Sequence, residues 1–212
     1  MNSTSLRPTP GARPPASSPW LNRQVMVVAV AIGLGLMVTP RLIVRAKRDA
    51  APQKLAPYVQ TPQDVVERML QIAQVGPTDV VYDLGCGDGR LVITAAKKYG
   101  ARGVGVDFDL ARVKESQANA EKAGVETLVE FRQQDALTVD LSPATVVTLF
   151  LLTSSNLKLR PMLTQALRPG ARIVSHQFGM GDWPPETQES LTGTDGSSHI
   201  LYLWKVDGQV RP

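Results

Sequence analysis

Asp83-Leu84-Gly85-Cys86-Gly87-Asp88-Gly89 follows directly on the apolar run Val80-Val81-Tyr82 and leads directly into the helical-looking stretch Leu91 to Tyr99. A strand that breaks into a Gly-rich turn and then a helix brings backbone close to a ligand, because glycine lacks a Cβ and tolerates positive φ. The acid two places before the first glycine narrows the ligand class. A carboxylate there suits a cationic group and is a poor neighbour for a pyrophosphate. The glycines run G-x-G-x-G, an imperfect match to the dinucleotide pattern G-x-G-x-x-G.

Around this turn, strand and helix patterns alternate. Thr61-Pro62-Gln63-Asp64 opens a helix, with Thr61 as the expected N-cap, and Val65, Met69 and Ile72 share one face. Strands are expected over 80–84, 103–107, 128–133, 145–149 and 172–175. Helices are expected over 91–99 and 110–123, and a short one over 161–167 before Pro169-Gly170. Residues 187–192 and 199–206 read as a terminal hairpin turning at Asp195-Gly196. Alternating β and α elements imply a Rossmann-like, doubly wound and mostly parallel sheet with helices on both faces, closed by an antiparallel hairpin.

Asp107 ends the second strand, about twenty residues after the glycine turn, where a carboxylate can accept hydrogen bonds from both ribose hydroxyls. Together with Asp83 it points to a nucleoside with a positively charged tail. S-adenosyl-L-methionine, with its ammonium and sulfonium, fits better than NAD. Asp135, ending the third strand, suits an adenine amino group, with an exposed loop acid as the alternative. Cys86 reads as a small filler in the turn. His176, after the fifth strand, and Trp183, in Gly181-Asp182-Trp183-Pro184-Pro185, are the candidate substrate residues. A solvated histidine and a tryptophan packed under its loop are the plain alternatives. No catalytic residue is assigned. No Asp/Asn-Pro-Pro-aromatic sequence follows the fourth strand, which weighs against methylation of a base amino group.

Charge is divided along the chain. Residues 1–60 hold eight Lys/Arg against one acid, whereas residues 61–212 hold fifteen against eighteen. The folded part is therefore mildly acidic, which argues against a nucleic-acid footprint. A single cysteine excludes an intrachain disulfide and a multi-cysteine metal site, and no metal is expected. Residues 1–19 read as disordered. Val25 to Val38 is free of charge but spans only about 21 Å as a helix. Extension to residues 20–44, with Trp20 and Arg41 at the interfaces, makes a transmembrane anchor, with a signal peptide or an amphipathic helix as alternatives. Arg41, Arg45, Lys47 and Arg48 then place the domain over 61–212 on the cytoplasmic side, behind a linker over 45–60.

Residues Tyr58-Val59-Gln60-Thr61-Pro62, the Asp83 to Arg90 turn and Gly103-Val104-Gly105-Val106-Asp107 resemble class I S-adenosylmethionine-dependent methyltransferases. More narrowly, they resemble the membrane-anchored protein-lysine methyltransferases related to the mitochondrial enzymes acting on the ATP synthase c-subunit and the adenine nucleotide translocase. The resemblance implies a methyl donor lying across the carboxyl ends of the first three strands. Its amino-acid part would lie near Tyr58, Thr61, Asp83 and Gly85, its ribose at Asp107 and its adenine at Asp135, with Gly87 a further cofactor-binding residue of the turn. It also implies a protein substrate, with membrane proteins among the candidates. Methylation of a lipid, quinone or other small molecule, and a non-catalytic nucleotide-binding module, stand as alternatives.

Overall fold

The computed structural model describes residues 55–212. The proposed disordered segment 1–19, the anchor 20–44 and residues 45–54 of the linker lie outside the described residues. Among those described, no helix is long and apolar enough to cross a membrane.

Helix α1 (Gln63–Ile72) precedes strand β1 (Val80–Leu84), followed by α2 (Arg90–Tyr99), β2 (Arg102–Asp107), α3 (Leu110–Ala123) and β3 (Val129–Gln133). A 3₁₀ turn (Ala136–Thr138), β4 (Val146–Leu149), α4 (Thr153–Ala166), β5 (Arg172–His176), β6 (Thr187–Thr192) and β7 (Ser198–Lys205) complete the chain. The strands form one seven-stranded sheet in the order β3-β2-β1-β4-β5-β7-β6. The first five run parallel, and β7 lies antiparallel between β5 and β6. The terminal hairpin is thus joined to the sheet through its second strand.

Strands β1 and β4 are covered on both faces, which accounts for their largely apolar sequences, interrupted by Asp83 and Thr148. Val66, Met69, Val81, Val92, Phe131 and Val174 pack on one face, and Leu84, Val106, Leu149, Leu159, Ile173 and Trp204 on the other. Each fully buried aliphatic side chain contributes roughly 1.5–3 kcal/mol.

Two local expectations change. Helix α1 begins at Gln63, with Pro62 in the cap position and no side-chain cap bond. Thr61 lies one residue earlier, and its carbonyl accepts from the Arg90 guanidinium at 2.7 Å. The helix expected over 161–167 in fact starts at Thr153 and carries Pro161 within it. Its burial of Leu159 and Leu163 against β4 and β5 outweighs the cost of one interior proline.

Candidate functional site

Strand order reverses between β1 and β4, and at such a point the two flanking loops diverge and leave a crevice. A cavity opens there, walled by the glycine turn, the loops after β2, β3 and β4, and the leading segment Leu55–Thr61. The segment is fastened along its length. The Leu55 carbonyl accepts from the Ser155 hydroxyl of α4, and Gln60 Nε2 donates to Asp88 at 3.4 Å. Residues 55–60, expected as the end of a linker, therefore form a wall of the site.

Every cofactor residue expected from the sequence lines this cavity: Tyr58, Thr61, Asp83, Gly85, Gly87, Asp107 and Asp135. The turn is braced against β2, whose Val106 carbonyl accepts from the Gly85 and Cys86 amides at 2.8 and 3.0 Å. Gly87 has φ +55, and a Cβ on it would fall 2.4 Å from Tyr58 Cε2, so the tyrosine ring lies directly over the bare backbone. The Arg112 guanidinium stacks on the outer side of that ring, 4.5 Å from its centre. Arg90 grips Asp88 through Nε at 2.9 Å and holds the Thr61 carbonyl, tying the leading segment to the turn.

Asp83 is buried and accepts from the Thr148 hydroxyl at 2.8 Å. Burial pushes its pKa up to about 7, opposed by the Thr148 hydrogen bond and assisted by the nearby Asp107 and Asp88 charges. A carboxyl so starved of compensation is a ready seat for a cation. Asp107 accepts from the Gly87 amide at 3.0 Å and the Asp109 amide at 2.9 Å. Each of its oxygens keeps a further lone pair for a hydroxyl donor. One Asp135 oxygen caps the 3₁₀ turn by accepting from the Leu137 amide at 2.9 Å, which leaves its partner for an amino group. Burial pushes the Cys86 thiol far above its usual range, helped by Asp83 and Asp107, so it stays protonated and fills space.

The candidate substrate residues lie elsewhere. His176 is buried behind the wall residue Phe150, with ring centres 4.0 Å apart. Trp183 packs under its own loop, 5.9 Å from the Trp204 ring and beneath the Arg211 guanidinium, and does not line the cavity. Sequence reading missed Thr148, Phe108, Arg112, Phe150 and Leu151. Thr148 had a signal, a polar side chain inside an apolar strand, and Phe108 stands directly after the expected ribose acid. Among the described residues no cluster of His, Cys, Asp and Glu suits a metal ion.

The donor set fits S-adenosyl-L-methionine: a buried acid beside bare glycine backbone for the ammonium end, a strand-end acid for the diol, and a free carboxylate oxygen for the adenine. A family model described as the ANTKMT methyltransferase domain matches residues 83–187. A protein-lysine N-methyltransferase of Saccharolobus islandicus is 47% identical over 152 residues, which is 71% of this chain and 93% of that one. The mouse adenine nucleotide translocase lysine N-methyltransferase is 30% identical over 164 residues, 76% of this chain and 71% of that protein. A crystal structure from Salinibacter ruber, described as an RNA methyltransferase in complex with S-adenosyl-L-homocysteine, is 51% identical. It superposes with a TM-score of 0.68 over 72% of this chain and 97% of its own. Likeness to the two lysine methyltransferases over 93% and 71% of their lengths, together with a cavity whose donors suit S-adenosyl-L-methionine, makes this chain a member of the S-adenosylmethionine-dependent protein-lysine methyltransferase family.

Proposed function

We propose that the protein transfers methyl groups to lysine side chains of a polypeptide, with a membrane protein as the favoured acceptor. Residues 20–44 tether it to a membrane, with the catalytic domain on the cytoplasmic side. The observation that carries the acceptor is the 47% identity, over almost all of its length, to a protein-lysine N-methyltransferase. The tether rests on the charge-free run Val25–Val38 and the basic residues that follow it.

S-adenosylmethionine, when bound, supplies a methyl group on a cationic sulfur that an amine displaces in line. The protein's part is alignment and dehydration. Asp83, held near neutrality by burial, gives up its proton as an ammonium docks beside it. Asp107 fixes the ribose end through a carboxylate already braced by two backbone amides. Tyr58, backed by Arg112, covers the turn and excludes water. A free lysine amine has a pKa near 10.4, and the apolar wall of Phe150, Leu151 and Leu55 favours its neutral form by desolvation. The same wall accommodates the alkyl stem of a lysine.

A second reading, methylation of RNA, has one support: the description of the Salinibacter ruber structure. The acidic balance of residues 61–212 opposes it, because a surface that tracks phosphates needs a basic excess. Tritiated-methyl transfer into fractionated cell extract separates the readings. Label that runs with polypeptide and vanishes on protease treatment supports the lysine reading, and peptide mass spectrometry then locates one to three added methyls. Label that survives protease but not ribonuclease, or that partitions into organic solvent, overturns it. Fractionation of the full chain, and again after residues 1–44 are removed, tests the tether: both forms soluble would refute it.

A further inference from the structure

Phe150 forms the cavity wall where β4 ends, and it is held from behind by residues that no cofactor contact requires. β4 and β5 pair in parallel with Thr148 opposite Val174, so two residues further on Phe150 and His176 lie side by side. Their rings are in contact, tilted by 35° with centres 4.0 Å apart. His176 Nε2 meets His199 Nδ1 at 2.9 Å, and His199 Nε2 meets the Asp195 carboxylate at 3.1 Å. In the neutral pair this order fixes both tautomers. The carboxylate only accepts, so His199 carries its proton on Nε2 and accepts at Nδ1. His176 then donates from Nε2, and its buried Nδ1 is left as a lone pair with no protein partner.

An unpaired buried acceptor is unfavourable, and an aromatic hydrocarbon at position 176 would pack on Phe150 without it. What the histidine adds is a mechanical link to the β6–β7 turn. The backbone next to it points the same way. Gln177 is held at φ +68, and the Phe178 amide donates to the His176 carbonyl at 2.9 Å, closing a tight three-residue turn in the left-handed region. β7 pins that turn, with Gln177 donating to the Ile200 carbonyl at 2.7 Å and accepting from the Ile200 amide at 3.2 Å. Phe178, on the far side of the strained residue, also stacks on Phe150, at 6.4 Å. Both flanks of the strained turn thus touch the same wall ring.

We propose that Asp195, His199 and His176 form a hydrogen-bonded line that positions Phe150 for the methyl acceptor, so that the β6–β7 hairpin sets acceptor affinity while standing outside the cofactor site. His176 and His199 are positioning residues, acting through Phe150. The proposal rests on the lysine reading above for the identity of the acceptor. Its test uses the full chain, poly-L-lysine as acceptor and His199→Phe, which keeps a ring but cuts the line. The KM for poly-L-lysine is expected to rise about 5- to 10-fold with kcat nearly unchanged, and the Kd for S-adenosyl-L-homocysteine to stay within about twofold. His199→Gln, whose amide can both accept and donate, is expected to restore most of the loss. An unchanged KM in the folded variant, or a Kd that rises as much as the KM, overturns the proposal.

A second measurement is independent of any acceptor. Imidazole nitrogen NMR is expected to show His176 as the Nε2–H tautomer, and the Phe150 ring resonances are expected to shift in His199→Phe. The opposite tautomer, or unmoved Phe150 resonances, refutes the line as a positioning device even if poly-L-lysine is never methylated. Absent methylation by the unaltered enzyme, with the NMR results as expected, would count against the lysine reading and leave the positioning of Phe150 standing.

Discussion

The Gly87 amide donates to the Asp107 carboxylate across 3.0 Å, so the glycine turn after β1 and the acid that ends β2 are one unit. A ligand that engages the acid also meets a turn whose shape that acid maintains. Asp107→Ala is therefore expected to do more than remove a hydroxyl partner. Loss of hydrogen bonds to a charged group costs about 1.5–3 kcal/mol, so calorimetric titration should show S-adenosyl-L-homocysteine binding roughly 10- to 100-fold more weakly. Far-UV circular dichroism should stay unchanged, since the acid's side chain lies at the cavity and β2 pairs there through backbone groups that the substitution keeps. Unaltered affinity would remove Asp107 from the ribose site.

Gly87→Ala tests the fit between Tyr58 and the turn. The new Cβ would stand 2.4 Å from the tyrosine ring, on backbone at φ +55 that disfavours a side chain. The left-handed conformation alone costs roughly 1–2 kcal/mol. The ring must also leave its place under Arg112. Affinity for S-adenosyl-L-homocysteine should drop about tenfold or more, and Tyr58→Ala in the same background should recover part of the loss. Failure of the second change to help would show that strain in the turn, not the collision, governs binding.

Asp83 gives a stability effect and a binding effect of opposite sign. Its folded pKa, about 7, is raised above the usual 3.8, so its share of stability is complete below 3.8 and lost as pH rises through 7. Asp83→Asn should therefore raise the melting temperature of the ligand-free protein at pH 8, by a margin that shrinks as pH falls toward 4, while abolishing tight cofactor binding. In the unaltered protein, affinity for S-adenosyl-L-homocysteine should increase from pH 5.5 to 8. Titrations at pH 6 in buffers of different ionisation enthalpy should reveal proton release. Proton uptake, or binding indifferent to pH, would contradict the buried-acid seat.

His176 predicts an acid limb. Burial, with His199 acting in the same direction, lowers its pKa from 6.5 to about 4, against a smaller pull from Asp195. A depressed folded value means the contribution to stability is complete above 6.5 and lost as pH falls from there through 4. Thermal melts across that interval should flatten in His176→Phe relative to the unaltered protein. Parallel curves would mean that other groups govern the limb.

That the glycine corner and the strand-end acids would share one cavity was legible in the sequence because their determinants are local. Asp83, Gly85 and Gly87 sit at one turn, Asp107 ends β2, and Asp135 follows the alternating β3 by two residues as the cap of the 3₁₀ turn. α4 was misjudged because Pro161 reads as a helix start, and only the burial of Leu159 and Leu163 shows that packing carries the helix through it. The surroundings of His176 follow from antiparallel register between β5 and β7, which sets His176 opposite Leu201 and brings His199 within reach. No short-range pattern encodes that pairing. Trp183 offered an exposed-looking loop sequence, yet the partners that bury it, Trp204 and Arg211, lie more than twenty residues downstream.

Leu55 to Thr61 has no helix or strand and precedes the alternating elements, yet its side chains close one flank of the cavity. Trimming the protein back to its recognisable strands and helices would leave the glycine corner intact and open to bulk solvent. Such a truncated enzyme would keep its outline and lose its roof, so the irregular residues ahead of α1 belong to the catalytic body as much as the sheet does.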